Sequence, residues 1–336
     1  MKKIIALLLT AILTLSCCAA LADEIWTPGT TVYVDVGARA GGGTDLMVRY
    51  ITAGLAELNP GVNFVVVNYD VADVGSAHAA YADKDGLNLT VLSAVNVINY
   101  HSGSSAFDPE TNFDVVGKVV AGGPQAYIAA PSYDFHSMED VVNYIRSGEK
   151  KLNIGVSLGS MSHFAFLNTF NAIDPELNNM VNYVQSGGEA DKLTNIASGS
   201  ISFTNASMNN AMAYEADGKL TVVGIVGPEM ADRAATSALV GVELGDQYKS
   251  MPEQGINYTL NAGSYVAIPA GTDPAIIEYI NGKLLELEKS EAFVNGMNVM
   301  GSFISLKNVE ESVADFKAEA EEFTAAMDAL GMLAVK

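Results

Sequence analysis

The stretch TVYVDVGARAGGGTDLMVRYI, residues 31–51, predicts a strand, a glycine-rich loop and a helix in immediate succession. The first six residues are rich in β-branched types, and a helical pattern runs over 45–58. Three consecutive glycines lie between the two. Because glycine is a poor helix former and loses much entropy when ordered, a glycine run before a helix indicates that bare backbone is needed there. This backbone is predicted to approach a ligand.

The same strand-then-helix order continues along the chain, which predicts an α/β protein with mainly parallel sheets. The predicted strands are 31–36, 62–68, 87–92, 127–130, 152–156, 181–184, 201–204, 220–226 and 265–268. The predicted helices are 45–58, 76–82, 138–147, 160–172, 190–197, 207–216, 274–289 and 309–330.

Residues 1–22 have the pattern of a cleaved signal peptide. Two lysines precede a short apolar run, and Ala20-Leu21-Ala22 is a small-residue cleavage pattern. The sequence therefore predicts an exported protein, in the periplasm or at the cell surface. A lipid anchor through Cys17 or Cys18 is the alternative, although neither follows a good lipobox. Both cysteines of the chain lie in this leader, so the mature protein has no thiol for a disulfide or a metal.

Length and charge narrow the class of protein further. Roughly 310 mature residues suit two domains better than one core. The predicted division places 23–124 plus 261–336 in domain one and 125–260 in domain two. Without the leader the chain has 16 basic and 39 acidic residues, a formal charge of −23. Nucleic acid and anionic membranes are poor partners for such a surface.

Four loops after predicted strands share a composition of small, hydroxyl-bearing or glycine residues. They are GARAGGGTD at 37–45, SAVNVIN at 93–99, SLGSMSH at 157–163 and QSGGE at 185–189. Ligands of open parallel sheets bind at the carboxyl ends of the strands, where such loops begin. Exposed amides, hydroxyls and helix N-termini together form an anion receptor. The sequence therefore predicts an anion site.

No cofactor or metal is expected. The run from Gly37 to Thr44 resembles a nucleotide P-loop, but Gly43 stands where the lysine belongs, and Leu46 takes the last glycine position of a dinucleotide loop. No histidine pair has zinc spacing, and no acidic loop follows the EF-hand pattern.

Catalysis is not expected either. Ser160 and Ser162 lie beside His163, which suggests a serine hydrolase, but the run does not match the G-x-S-x-G elbow. Adjacent residues on one helical turn also point poorly at each other. The alternative is a serine N-cap and a first-turn histidine that packs or binds ligand.

Two charged residues of the first loop have open roles. Arg39 is one of four arginines, and it is either a two-pronged clamp for a carboxylate or a surface charge. Asp45 favours the positive end of its helix.

In order along the chain, six segments resemble motifs of the solute receptors of tripartite tricarboxylate transporters, the Bug or TctC family. They are AGGGTD at 40–45, FDPETNF at 107–113, SMSHF at 160–164, SGGEA at 186–190, IASGSI at 196–201 and PAGT at 269–272. The match extends over most of the mature chain. It departs from the family at 68–75, which lacks the usual glycines, and at Ala206, where an aspartate is common.

The resemblance implies a periplasmic-binding-protein fold of the second type, with two α/β domains around a ligand cleft. It implies a monomeric receptor that holds a small carboxylate and delivers it to the permease subunits of a tripartite tricarboxylate transporter. A receptor that presents its ligand to a sensor kinase is the alternative. The predicted ligand-binding residues are Arg39, Gly41, Gly42, Gly43, Thr44, Asp45, Ser93, Asn96, Ser157, Gly159, Ser160, Ser162, His163, Ser186, Gly187, Gly188, Asn205 and Ser207.

Overall fold

A computed structural model describes residues 24–334. The predicted leader, its cleavage pattern and both cysteines lie outside the described residues. No helix within 24–334 has the length and apolar character needed to cross a membrane.

Eleven strands are found in the described part of the chain. They are β1 Thr31–Val36, β2 Asn63–Asn68, β3 Asn88–Leu92, β4 Phe113–Gly122, β5 Gln125–Ala129, β6 Asn153–Val156, β7 Asn182–Gln185, β8 Phe203–Ser207, β9 Thr221–Val226, β10 Ser264–Pro269 and β11 Phe303–Ile304.

Twelve α-helices accompany them between residues 24 and 334. They are α1 Gly43–Leu58, α2 Ala72–Ala80, α3 Ala94–His101, α4 Met138–Ser147, α5 Met161–Ile173, α6 Leu177–Met180, α7 Glu189–Ala197, α8 Met208–Ala216, α9 Arg233–Val240, α10 Pro274–Leu285, α11 Glu291–Met300 and α12 Val309–Ala329.

The strands form two sheets, in the orders β11-β4-β10-β3-β1-β2 and β7-β6-β8-β5-β9. The α/β class is confirmed, but the expectation of mainly parallel sheets is wrong. Only β1–β2, β1–β3, β6–β7 and β6–β8 are parallel pairs, while β5 and β10 are antiparallel to both of their neighbours. These two strands each follow a passage from one sheet to the other, so they enter their sheet from the opposite end.

This topology places the loops of interest between the sheets. The strand β4 runs in the same direction as β1–β3 and ends at Gly122, and the chain enters β5 of the other sheet at Gln125. The carboxyl ends of β1–β3 therefore lie on the edge where the chain crosses. In the second sheet, β6, β7 and β8 run antiparallel to β5, so their carboxyl ends also lie at the crossing. We call these the two crossing edges.

Helices pack on both faces of each sheet, although Tyr33 and Val65 at the β1–β2 edge of the first sheet remain exposed. In the first, Val32, Val34 and Val36 of β1 pack with α1, α10 and α11, and the other face packs with α2, α3 and α12. In the second, α4 and α5 cover one face and α7 and α8 the other. The helix α12 also reaches the second sheet's side, where Phe323 packs edge-on against Phe164 of α5.

Several elements are absent from the sequence prediction. The predicted loop at 93–99 is wrong beyond its first residue, because Ser93 caps a helix there. The strand β4 was missed because Gly117 and Lys118 interrupt its apolar run, and both find room only through long-range packing. Also missed were β11, α6, α9 and α11. The chain passes from one sheet to the other at 122–125 and at 226–264. The exact domain bounds remain a prediction.

Candidate ligand-binding site

The loop at residues 37–42, here the glycine loop, leads into α1 with free backbone donors. The helix N-cap is Gly42, which has no side chain to accept from the first turn. Within the described chain, the amides of Gly43 and Thr44 have no acceptor, and both residues are exposed. An uncapped helix start presents N–H groups and the positive end of the helix dipole, which together favour an anion.

Beneath the glycine loop, a buried carboxylate holds its shape. The Oδ2 atom of Asp45 accepts from the amide of Gly41 at 2.8 Å and from Nε of Arg49 at 3.0 Å, and Oδ1 accepts from Asn68 at 2.9 Å. Asn68 also donates to the carbonyl of Ala38. The hydrogen bond from Arg49 is the main cause that lowers the pKa of Asp45 to about 2. Both oxygens of Asp45 are thus occupied, and it positions the loop.

The three loop glycines have different environments. Gly41 has a φ of +82°, which L side chains rarely adopt. Gly42 has an ordinary φ of −78°, and a Cβ on it would lie 3.3 Å from the carbonyl oxygen of Arg39. Gly43 has a negative φ and open space where a side chain would begin. Only Gly41 is therefore required by backbone conformation, while Gly43 leaves access to the amides.

Arg39 lies on the surface of the glycine loop. Its side chain is 83% exposed, and within residues 24–334 its one ion pair is a 4.0 Å contact with Asp70, which is also exposed. Such a pair contributes little stability. The guanidinium is therefore free to turn toward a ligand.

Ser93 and Asn96 follow β3 on the same crossing edge, but they close their helix. The Ser93 hydroxyl accepts from the amide of Val95, and the Asn96 side chain accepts from the amide of Ser93. This reciprocal capping occupies donors that α3 would otherwise offer. Their predicted contact with ligand remains a prediction.

On the second crossing edge, residues 157–160, here the serine loop, are bonded to the loop after β7. The hydroxyl of Ser157 donates toward the carbonyls of Ser186 and Gly187, at 3.1 and 3.0 Å. The N-cap of α5 is Ser160, whose hydroxyl lies 3.1 Å from that of Ser162 and does not cap the helix. In the described chain the amides at the first two positions of α5, 161 and 162, have no acceptor.

His163 supports the serine loop from below. Its Nδ1 accepts from the amide of Gly159 at 3.2 Å, so the neutral ring carries its proton on Nε2. The ring is buried, which lowers its pKa, and Nε2 has no hydrogen-bond partner in the described chain. Among residues 24–334 neither Ser160 nor Ser162 bonds to this ring. The pairing that a serine hydrolase needs is not formed.

The helix α7 begins beside the serine loop with Gly188 as its N-cap and no side-chain cap. Ser186 is buried and accepts from Asn195, and Ser207 donates to Glu189. Asn205 is also buried, and its Oδ1 accepts from Nζ of Lys192 at 2.8 Å. Lys192 and Asn195 are participants that the sequence did not indicate, whereas Glu189 lies in the predicted loop at 185–189. Their spacing of three residues on one helix is the pattern that could have revealed them.

Most of the helices that begin at the two crossing edges share one feature, which is an N-terminus without a side-chain cap. The helices α1, α2, α5, α7 and α8 all begin at the crossing edges without a side-chain cap. The helix α3 is an exception, because it begins at the first crossing edge and is capped by Ser93. At the opposite edges, α4 and α10 are capped by Ser137 and Asp273. Within 24–334, no hydrogen bond joins the glycine loop to the serine loop. We call the two groups of residues candidate half-sites.

Within the described residues, no group of three or more His, Cys, Asp or Glu side chains could hold a metal ion. The amides, hydroxyls and one imidazole of the two half-sites are hydrogen-bond donors, which suit a carboxylate oxygen.

Comparison with solved structures gives the fold. Periplasmic binding protein BugD has a TM-score of 0.65 and 18% identity, over 91% of this chain and 99% of that one. A TctC solute binding protein from Polaromonas has a TM-score of 0.72 and 18% identity, over 90% and 99%. R. palustris Rpa4515 with adipate has a TM-score of 0.67 and 21% identity, over 92% and 99%. This chain shares their fold.

The two-domain α/β fold expected from the motifs is thereby confirmed, and the resemblance to Bug and TctC proteins extends to the architecture. No protein-family model and no curated protein matches the sequence.

Proposed function

We propose that this protein is an extracytoplasmic receptor of the Bug or TctC family. It captures a small carboxylate and delivers it to the permease subunits of a tripartite tricarboxylate transporter. The observation that carries the proposal is the set of uncapped helix starts at both crossing edges, with free amides at Gly43, Thr44, Met161 and Ser162. Free amides at helix N-termini bind anions.

One further observation supports a carboxylate, and a second is compatible with it. The fold is shared with R. palustris Rpa4515, whose structure was determined with adipate. The surface of the chain is strongly acidic, so attraction must come from donors at short range. Hydroxyls and amides in a closing cleft provide such donors.

The test is a binding panel of mono-, di- and tricarboxylates, followed by melting curves and titration calorimetry. A ligand at about 100 times its Kd stabilises the folded protein by about 2.7 kcal/mol, which raises the melting temperature visibly. A panel in which only sugars or cationic amines bind would exclude the proposal. Deletion of a neighbouring permease, as against a neighbouring sensor kinase, then distinguishes transport from sensing by uptake of the labelled ligand.

Arg39 provides a sharper test of the first half-site. The Arg39→Ala variant is expected to weaken carboxylate binding by about 1.5–3 kcal/mol, since a charge-assisted hydrogen bond is lost. Its stability should be unchanged, because the exposed pair with Asp70 contributes little. Asp70→Ala is the matched control for the pair. Unchanged affinity in Arg39→Ala would make the residue a surface charge.

A secreted hydrolase is the competing function, and the Ser160–Ser162–His163 group is its only basis. We expect no turnover of ester or amide substrates. Turnover that disappears in Ser160→Ala or Ser162→Ala would reverse this conclusion.

A further inference from the structure

The second half-site contains a buried cation that has no counter-ion among the residues that the structure describes. Lys192 of α7 is 7% exposed, and its Nζ has one hydrogen-bond acceptor in the described chain, the neutral side-chain oxygen of Asn205 at 2.8 Å. An ammonium has three donors to satisfy. Within 24–334 no carboxylate lies at ion-pair distance from it. Burial lowers the pKa of Lys192, as expected for a cation removed from water.

A second buried lysine shows how this chain neutralises a structural charge. Lys118 of β4 is 6% exposed, and its Nζ lies 2.9 Å from Asp315 and 3.0 Å from Glu319. Burying an unpaired charge is costly, so structural lysines acquire carboxylates in this way. Lys192 has equal burial and no such partner.

The acid of the same helix that acts electrostatically on Lys192 does not fill this role. Glu189 lies one turn before Lys192 and acts on it only through longer-range attraction. Its Oε1 instead accepts from Ser207 and from Asn210, each at 2.6 Å. The carboxylate is thus held by two neutral donors, and the lysine remains underpaired.

The place of Lys192 in the fold is where a ligand is expected. Ile154 of β6 pairs with Phe203 of β8, so two residues further along the parallel strands Val156 lies level with Asn205. Lys192, bonded to Asn205, therefore lies near the carboxyl ends of β6 and β8, and the serine loop follows β6. The helix after β6 packs on one face of the sheet and the helix after β8 on the other. Adjacent strands whose connections diverge in this way open a crevice that binds ligands.

We propose that the ammonium of Lys192 binds an anionic group of the ligand, and that it makes a second carboxylate a requirement for tight binding. This inference rests on the proposed function. One carboxylate contacts the free amides of α1, and the other contacts Lys192 beside the serine loop. Lys192 is thus a specificity-determining residue, and the ligand is a dicarboxylate.

The experiment compares length-matched acids by titration calorimetry: succinate with butyrate, and adipate with hexanoate. The wild-type protein is expected to bind at least one dicarboxylate about tenfold or more tightly than its monocarboxylate partner. Lys192→Met should bind both members of that pair about equally, with monocarboxylate affinity within about twofold of wild type. Lys192→Arg keeps the charge and should retain most of the preference. Lys219→Met, which removes a lysine from the surface of the same domain, is the matched control.

A purely structural role gives a different pattern. Lys192→Gln keeps a hydrogen-bond donor for Asn205 but has no charge. It should therefore replace Lys192 in a structural role, but it should not show the preference for the dicarboxylate. The inference is overturned if Lys192→Gln prefers the dicarboxylate as the wild type does, or if Lys192→Met keeps that preference. A wild-type protein that binds butyrate as tightly as succinate, and hexanoate as tightly as adipate, overturns it without any variant. Those results leave carboxylate binding in place, whereas a wild type that binds no carboxylate refutes the proposed function itself.

Discussion

The two half-sites use buried charges in opposite ways. At the glycine loop, the buried Asp45 accepts three hydrogen bonds and fixes the backbone above it. At the serine loop, the buried Lys192 has one neutral acceptor. Burial alone therefore does not separate structural charges from functional ones. The number of hydrogen-bond and ion-pair partners separates them, because a buried charge whose partners are all within the protein has no free donor or acceptor for a ligand.

The largest change in stability is expected at Asp45, and it tests whether this carboxylate has the structural role described above. The Asp45→Asn variant is expected to lose about 2–3 kcal/mol of unfolding free energy, since hydrogen bonds to a buried charge are lost. The measurement is urea denaturation at neutral pH. The control is Asp217→Asn, whose exposed carboxylate pairs with Lys219 and should change stability little.

The dependence of stability on pH in the acidic range tests the same carboxylate. The pKa of Asp45 is lowered to about 2, so the unfolded chain binds its proton more readily than the folded one. The stabilisation is therefore present above about pH 4 and is lost as the pH falls toward about 2. Asp45→Asn should flatten this part of the profile. A profile identical to wild type would show that Asp45 does not hold the glycine loop.

The next effect distinguishes the glycines. Gly41→Ala is expected to lower the unfolding free energy by about 1–2 kcal/mol, since its φ of +82° is unfavourable for an L residue. No atom lies within 4 Å of the added methyl, so the loss is conformational and not steric. Melting curves without ligand measure it. An unchanged melting temperature would indicate that the loop relaxes to a negative φ.

The serine loop should respond to Ser157→Ala. This change removes the hydroxyl that joins the loops after β6 and β7, with an expected loss of about 1 kcal/mol. Chemical denaturation measures it, and Ser147→Ala, at the exposed last residue of α4, is the control. Equal stability of the two variants would mean that the second half-site is not organised by this contact.

The smallest expected change in stability, with a selective loss of binding, belongs to Gly43→Ala. The position has open space and an ordinary φ, so the empty protein should unfold within about 0.5 kcal/mol of wild type. Carboxylate affinity should fall by about 0.5–1.5 kcal/mol, as for one hydrogen bond. Gly282→Ala, an exposed glycine of α10 with equally open space, controls for the added methyl. Wild-type affinity in Gly43→Ala would show that Gly43 only shapes the turn before α1 and is not needed for ligand binding.

Local sequence signals were sufficient where the structure is local. The strand at 31–36 and the helix at 138–147 were predicted at their observed bounds, because periodicity and caps such as Ser137 lie within a few residues. The helices α9 and α11 had similar signals in Asp232 and Ser290, which were overlooked. The loops with small residues were also found correctly at the carboxyl ends of β1, β6 and β7.

The sequence by itself determined the alternation of elements and the glycine loop, because each depends on neighbouring residues. The tertiary structure alone decided that β10 enters between β3 and β4, that Asp45 lies beneath the loop, and that Lys192 is buried without a counter-ion. Each of these depends on contacts between segments far apart in the chain. Periodicity shows that a residue is on one face of a helix, but only packing decides what that face meets and which charges remain unpaired.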